Sequence, residues 1–399
     1  MNSLEKIKTK NLKIAYYVQT DIQHVPPVMC LYPYFGGTIY TKREHIYNFI
    51  KEKYPKVSVK YFPTRPQIRK ELLKQKIRLM IYPSYVMLKV GKSVQIFHGA
   101  SDKTYEEHPK IMLYDLVLFP GEKTKKKVEN AGYLGKIPHW KIVGYPKFDK
   151  LINSRINAPS LFKNSRPVIL YAPTWISTDS LTKWNFSEYG ESSLPLWGKE
   201  LIRNLHKDFN IIVKYHNRAY RKKGYIYDQI NELIEKLHAE KHVKCIWDDN
   251  ILPYMKIADL MITDISTVCY EWFHFNKPIL YANPAPWHYS PSTDIYSNTY
   301  AWQAGDVINR KEDIMPLVQK NLKSDKYKEI RNKIFRESFF QPDGKASERS
   351  AEAIYEYYMK LEKFPFWFLQ FISNISRRIR SFPIKFFFLK EKIKKRGNK

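Results

Sequence analysis

The segment Ala258-Asp259-Leu260-Met261-Ile262-Thr263-Asp264-Ile265-Ser266-Thr267-Val268 is an apolar run of strand length that ends in hydroxyls and a carboxylate and leads into a helical pattern through Phe273. Thr263, Asp264, Ser266 and Thr267 are all good N-cap residues, and capping alone needs one of them. Four within five positions lean towards an anion, such as a nucleotide diphosphate, seated where the backbone N–H groups of a helix start are open. Simple capping is the competing reading.

Outward from this segment the strand-then-helix pattern repeats. Val168 to Ala172, Asn210 to Tyr215, Val243 to Trp247 and Pro278 to Tyr281 are further short apolar runs, separated by amphipathic stretches of helix length. The first half carries the same alternation, with strands expected near Lys13 to Val18, Val57 to Phe62, Arg78 to Tyr82, Val94 to Phe97 and Leu116 to Phe119. Helices fall between them, at Arg43 to Lys53, Gln67 to Gln75 and Glu122 to Ala131, the last stopped by Gly132. Such alternation is the signature of βαβ units and a mainly parallel sheet, so the fold class is α/β. A polar stretch from Asn153 to Pro167 reads as a linker. With 399 residues the chain is too long for one hydrophobic core. The expected division is residues 1–152, residues 168–360 and a distinct tail at 363–399. Two α/β domains leave a cleft between them, and ligands of open α/β sheets bind outside the carboxyl ends of the strands.

Composition excludes a disordered or fibrous chain, since 44% of residues are hydrophobic and 15% aromatic. The 68 Lys and Arg outnumber the 39 Asp and Glu by 29, which implies a polyanionic partner or an anionic membrane. Cys30, Cys245 and Cys269 lie far apart, so neither a disulfide framework nor a structural zinc site is supported, and a reducing compartment fits. The short apolar stretch from Ile14 to Val18 is too brief for a signal segment or a span, and the protein is expected in the cytoplasm.

The tail carries eleven Lys and Arg against Glu391 alone, interleaved with Phe, Trp, Ile and Leu. Phe368, Ile372, Ile375, Ile379 and Phe382 form one apolar helical stripe, with Arg377, Arg378 and Arg380 off it. A cationic amphipathic helix of this kind lies in a membrane interface. The competing reading is a last helix packed on the fold.

Three more segments place reactive side chains after expected strands. Phe97-His98-Gly99 is followed by Lys103: the histidine can act as a general base near neutral pH, and the glycine lets a ligand approach the backbone. Lys214-Tyr215-His216 with Arg218 repeats the arrangement in the second half. A lone histidine after a strand is more often structural, but one per domain on opposite cleft walls could face a single phosphate. Tyr171-Ala172-Pro173-Thr174-Trp175 brings a hydroxyl to the end of the second half's first strand. There is no GxGxxG, GxxxxGK[ST], HExxH or GxSxG, so the nicotinamide, P-loop, zincin and α/β-hydrolase readings lose their support. Asp248-Asp249 and Asp294 could hold a divalent ion, although no paired-acid spacing compels one.

Taken in order, six segments resemble the CDP-glycerol glycerophosphotransferase family, the enzymes of teichoic-acid-type and capsular poly(alditol phosphate) synthesis. They are Phe97-His98-Gly99 with Lys103, Gly144-Tyr145-Pro146-Lys147-Phe148-Asp149, Tyr171 to Trp175, Lys214-Tyr215-His216, Ala258-Asp259 through Thr267, and Asp343-Gly344-Lys345-Ala346-Ser347. The resemblance implies a GT-B architecture, two Rossmann-like domains with parallel sheets facing a central cleft, usually without a catalytic metal or other cofactor. It implies His98 and His216 as catalytic residues, with Asp264, Ser266 and Thr267 in the donor site. On this reading Gly99, Lys103, Thr174, Lys214 and Arg218 complete the substrate-binding set. Differences from the family pattern at Ala100, Ser101, Ile176 and Asn217 leave glycerol, ribitol or another alditol open as the donated alcohol.

The expected activity is transfer of an alditol phosphate from a CDP-alditol such as CDP-glycerol to a hydroxyl of a lipid-linked or polymeric acceptor, with release of CMP. The expected location is the cytoplasmic face of the cell membrane, peripherally bound through the tail. Two rivals are a sugar-nucleotide glycosyltransferase or epimerase of the same architecture, and a nucleic-acid binder, which the family motifs argue against.

Overall fold

A computed structural model describes residues 11–103, 107–153, 156–176, 192–216, 225–248 and 250–397. Arg218 and Asp249 lie outside the described residues. Contacts divide the chain into two compact units, the first built from Met1–His98, Glu107–Asn153 and Phe339–Lys399, the second from Gly99–Glu106 and Ser154–Ser338.

The first unit holds strands β1 (Ile14–Tyr17), β2 (Thr38–Thr41), β3 (Val59–Tyr61), β4 (Leu79–Tyr82), β5 (Lys92–Ile96), β6 (Leu116–Phe119) and β7 (His139–Ile142). They form one sheet in the order β3-β2-β1-β4-β5-β6-β7, and every pairing is parallel. The second unit holds β8 (Val168–Tyr171), β9 (Asn210–Lys214), β10 (Val243–Ile246), β11 (Leu260–Thr263), β12 (Ile279–Ala282) and β13 (Asp306–Ile308). Its order, β10-β9-β8-β11-β12-β13, is also parallel throughout. Both sheets therefore follow the doubly wound pattern, in which the strand order reverses at one point and leaves a crevice there. The reversal falls between β1 and β4 in the first unit and between β8 and β11 in the second.

Burial explains the strand sequences. In β1, β4, β6, β11 and β12 all four residues are buried, as expected for strands covered on both faces by helices. Three strands went unrecognised in the sequence. β7 is an edge strand with three of its four residues exposed, so it lacks the apolar run that marks the others. β13 is also an edge strand, three residues long. β2 is masked by Gly36-Gly37 just before it. A side chain on Gly37, whose φ is +85°, would meet the Ile14 carbonyl oxygen at 2.5 Å, so β2 can close on β1 only with glycine there.

The expected boundary at residue 360 is displaced. Helix Ala346–Glu362 buries Ala351, Ile354, Tyr358 and Leu361 in the core that also contains Ile14, Val28 and Ile81 of the first unit. Its start is capped from afar: the Asp149 carboxylate accepts the backbone N–H groups of Ala346 at 3.0 Å and Ser347 at 2.5 Å. Asn153 donates to the Gly344 carbonyl at 2.7 Å, and Arg349 donates to that of Val143 at 2.9 Å. The Gly144-to-Asp149 and Asp343-to-Ser347 motifs are thus two halves of one clasp within the first unit.

The tail is one helix, Phe366–Gly397, and its inner face differs from the stripe expected. Leu369, Ser373, Arg377 and Ile384 are buried, and Phe368 and Ile372 are half-buried, with Ile372 packed on the core. Arg377 and Arg380 do not face solvent. Both reach Asp115, because that carboxylate is itself almost wholly buried and requires cations beside it.

Candidate active site

In the second unit the site grows from the reversal between β8 and β11. β8 ends in Tyr171 and runs on to Thr174, while β11 ends in Thr263 and delivers Asp264 beside it. The Thr174 N–H donates to both Asp264 oxygens at 3.0 Å. Ser193 adds its N–H at 2.8 Å and its hydroxyl at 2.9 Å to the same carboxylate, and the Ser193 and Tyr171 hydroxyls lie 2.8 Å apart. One side chain therefore pins the end of β8 and the start of helix Leu194–Leu205 to the end of β11. Burial pushes the Asp264 carboxyl up to about 6, against the hydrogen bonds from Ser193 and Thr174 and the positive charge of Lys103, which pull it down.

A small open cavity lies at this point, walled by Ser101, Asp102, Lys103, Asp264, Ser266, Thr267, Tyr270 and Trp302 among others. Lys103 donates to the Thr174 hydroxyl at 3.2 Å. Asp102 is fixed by the Tyr270 hydroxyl and by the Ala301 N–H at 3.0 Å. The wall thus sets one cation, Lys103, and the hydroxyls of Ser101, Ser266, Thr267 and Tyr270 beside the carboxylates of Asp102 and Asp264, both of which accept from donors of the fold. The four oxygen-bearing side chains of the opening segment divide their work. Thr263 donates to the Ala172 carbonyl at 2.7 Å and Asp264 turns inward to Thr174 and Ser193, so both organise the site, while Ser266 and Thr267 stand at the cavity. Asp264, which also borders the cavity, thus has a positioning role beside the ligand contact expected of it. The helix that follows is Val268–Trp272, shorter than the pattern through Phe273 suggested, and a 3₁₀ turn continues it.

Lys214 and His216 follow β9. Lys214 is buried and its ammonium donates to the Tyr215 carbonyl at 2.8 Å. Tyr215 is packed between Trp247 and Tyr227, at ring distances of 4.4 and 4.9 Å, and His216 emerges half-buried from this cluster. Neither Lys214 nor His216 lines the cavity.

In the first unit, His98 follows β5. Its Nδ1 lies 3.1 Å from the Pro83 carbonyl oxygen, which can only accept, so Nδ1 carries a proton and, in the neutral ring, the lone pair is on Nε2. The Tyr145 hydroxyl donates to the His98 carbonyl at 2.6 Å, joining the Gly144-to-Asp149 motif to this histidine. The ring of buried His24 sits 4.3 Å from that of His98. Gly99, the next residue, already belongs to the second unit. Sequence reasoning missed His24, Asp102, Ser193 and Tyr270. Only Ser193 carried a signal, since Ser192-Ser193-Leu194-Pro195 is a helix-start pattern. Among the described residues no three His, Cys, Asp or Glu side chains come together as metal ligands.

The family profile of the CDP-glycerol:poly(glycerophosphate) glycerophosphotransferases matches residues 86–356. The chain belongs to this family. It is 24% identical over 216 residues to the teichoic acid poly(ribitol-phosphate) polymerase of Bacillus spizizenii, covering 51% of this chain and 30% of that one. It is 27% identical over 143 residues to the teichoic acid glycerol-phosphate primase of Bacillus subtilis, covering 35% and 32%. The chain therefore matches about a third of the length of either relative. Among solved structures, the wall teichoic acid polymerase TagF superposes with a TM-score of 0.57 at 16% identity, over 89% of this chain and 91% of that one. A putative UDP-N-acetylglucosamine 2-epimerase from Listeria monocytogenes gives 0.59 at 15% identity, over 88% and 98%. These likenesses show the fold, α/β and GT-B-like, with two Rossmann-like units in one chain.

Proposed function

We propose that this protein is a transferase that moves glycerol phosphate, or a related alditol phosphate, from CDP-glycerol or the matching CDP-alditol to a hydroxyl of a lipid-linked or polymeric acceptor in wall or capsule polymer synthesis. The observation that carries this reading is the cavity at the β8/β11 reversal, where Lys103, Ser266 and Thr267 offer a cation and two hydroxyls around a rigid Asp264 anchor. Family membership supplies the donor class, and a variant of the TagF polymerase has been solved after soaking with CDPG.

In the proposed step the acceptor oxygen attacks the phosphorus of the alditol phosphate. Its P–O bond to CMP breaks as the new P–O bond forms, and the acceptor proton passes to Nε2 of His98, the nitrogen left basic by the Pro83 contact. Lys103, Ser266 and Thr267 stabilise the charge on departing CMP, and His216 serves as the second catalytic imidazole, on the diphosphate. Gly99 and Thr174 keep the backbone close to the donor, and Arg218 adds a cation. A lipid-linked acceptor would place the enzyme at the cytoplasmic face of the membrane, peripherally bound; among the described residues no helix is long and apolar enough to cross one.

The test is CMP release by the purified chain from a panel of CDP-alditols, with UDP-sugars as competitors. Release from a CDP-alditol, reduced roughly 100- to 10,000-fold in His98→Ala, is the expected result. Turnover of a UDP-sugar without CMP release, or a His98→Ala variant as active as wild type, would sink the assignment.

A further inference from the structure

The outer face of helix Phe366–Gly397 is unusual for a helix so firmly held. Trp367, Phe371, Ile375, Ile379 and Phe382 are exposed by 70, 58, 43, 68 and 75%, and spacings of four, four, four and three residues align them in one stripe. The opposite face is fastened to the first unit by polar contacts at three levels. The Gln370 amide oxygen accepts the Gly91 N–H at 2.9 Å and its nitrogen donates to the Lys89 carbonyl at 3.1 Å. Arg377 donates to the Gly91 carbonyl. Arg380 donates to the Tyr114 carbonyl at 2.7 Å and to Asp115 at 2.8 Å, and Asp115 is further held by the Ser93 N–H at 3.0 Å.

We propose that this stripe is a preformed docking face for an anionic lipid surface, held in one orientation on the first sheet by Gln370, Arg377 and Arg380. The inference deepens the peripheral location given above, and rests on that reading for its biological setting alone. Lipid is favoured over a second copy of the chain by charge. Of the eleven basic residues from Lys363 onwards, Arg377 and Arg380 are turned in to Asp115, and the other nine, against one acid, leave the segment strongly cationic, so two copies would repel whereas anionic headgroups attract it. Exposed Arg378 flanks the stripe at its centre. Because the helix exists before contact, docking carries no ordering cost, unlike a tail that folds on the bilayer.

The experiment is flotation of the full-length protein with vesicles of phosphatidylcholine, alone or mixed with phosphatidylglycerol. Wild type should float with the mixed vesicles, and its helical circular dichroism should not rise on binding. The combined Trp367→Ser, Phe371→Ser, Ile379→Ser and Phe382→Ser variant should lose roughly tenfold or more of its partitioning. Arg378→Glu, which leaves the fold untouched, should weaken binding to the mixed vesicles. Unchanged flotation of both variants overturns the proposal, as does a gain of helix on binding. A concentration-dependent dimer that the serine variant dissociates, without vesicle binding by wild type, assigns the face to a second copy and also overturns it. CMP release on a water-soluble acceptor should be equal in wild type and the serine variant. Its absence in wild type would count against the transferase reading and leave the flotation result standing.

Discussion

Replacing Asp264 by Asn removes a buried charge while keeping the shape of the side chain. The Asn oxygen can occupy the position that now accepts from Ser193 and Thr174, since one carboxylate oxygen receives both Ser193 donors and one branch of the Thr174 N–H. What changes is the titration. In the native protein the carboxyl is pushed from 3.8 up to about 6, chiefly by burial, so the folded state holds the proton more tightly than the unfolded chain. The sign follows from linkage: Asp264's contribution to stability is fully present below 3.8 and is lost as pH rises through about 6. Between about pH 5 and about pH 7.5 the loss is about 1 kcal/mol. For a unit of this size that corresponds to a change in Tm of about 2–4 °C. Asn has no such dependence, so the Tm of wild type minus that of Asp264→Asn should fall by this amount across the range. Calorimetry of both proteins in matched buffers at constant ionic strength measures it. A difference that stays flat with pH, or rises, would show that the carboxylate is not desolvated, and the account of the β8/β11 anchor would be wrong.

Two further substitutions probe the first unit. Asp115→Ala strips the carboxylate from buried Arg377 and half-buried Lys92 and Arg380, and chemical denaturation should show a loss of about 3–5 kcal/mol, because uncompensated charge then remains inside. Gly144→Ala forces a Cβ to 2.7 Å from the Phe340 carbonyl oxygen at a φ of +90°, and should cost about 1–3 kcal/mol in the same assay, with CMP release falling as the Tyr145 contact to His98 shifts.

The fold was legible where burial was complete. β1, β4, β8, β11 and β12 announced themselves as apolar runs because helices cover both faces of a parallel sheet, and the two halves read alike because the same strand order is built twice. Edge strands β7 and β13 have no such constraint and left no pattern. Within the site, the sequence located Lys103, Ser266 and Thr267, which line the cavity, but it could not divide labour inside the Thr263-to-Thr267 cluster. Whether an oxygen faces a ligand or braces a neighbouring strand is decided by the partner across the sheet. The Asp264 partners, Thr174 and Ser193, lie 90 and 71 residues away.

The tail shows the same limit from the other side. Periodicity identifies a stripe but is blind to which stripe faces the protein, since Phe368 with Ile372 and Trp367 with Phe371 lie on adjoining lines of one helix. The choice is made by groups outside the helix. Asp115 is buried just before β6 with Ser93 as its neutral partner and Lys92 of β5 at 3.4 Å, and cations arriving from the tail add to that compensation. Arg377 and Arg380, three residues apart on one face, supply that compensation, and whichever apolar residues share their side must turn inward with them. The remaining large apolar residues are thereby committed to the outside. The exposed stripe is thus a consequence of where a single carboxylate sits in the sheet, which is why two arginines that look like part of a solvated basic face belong instead to the interior.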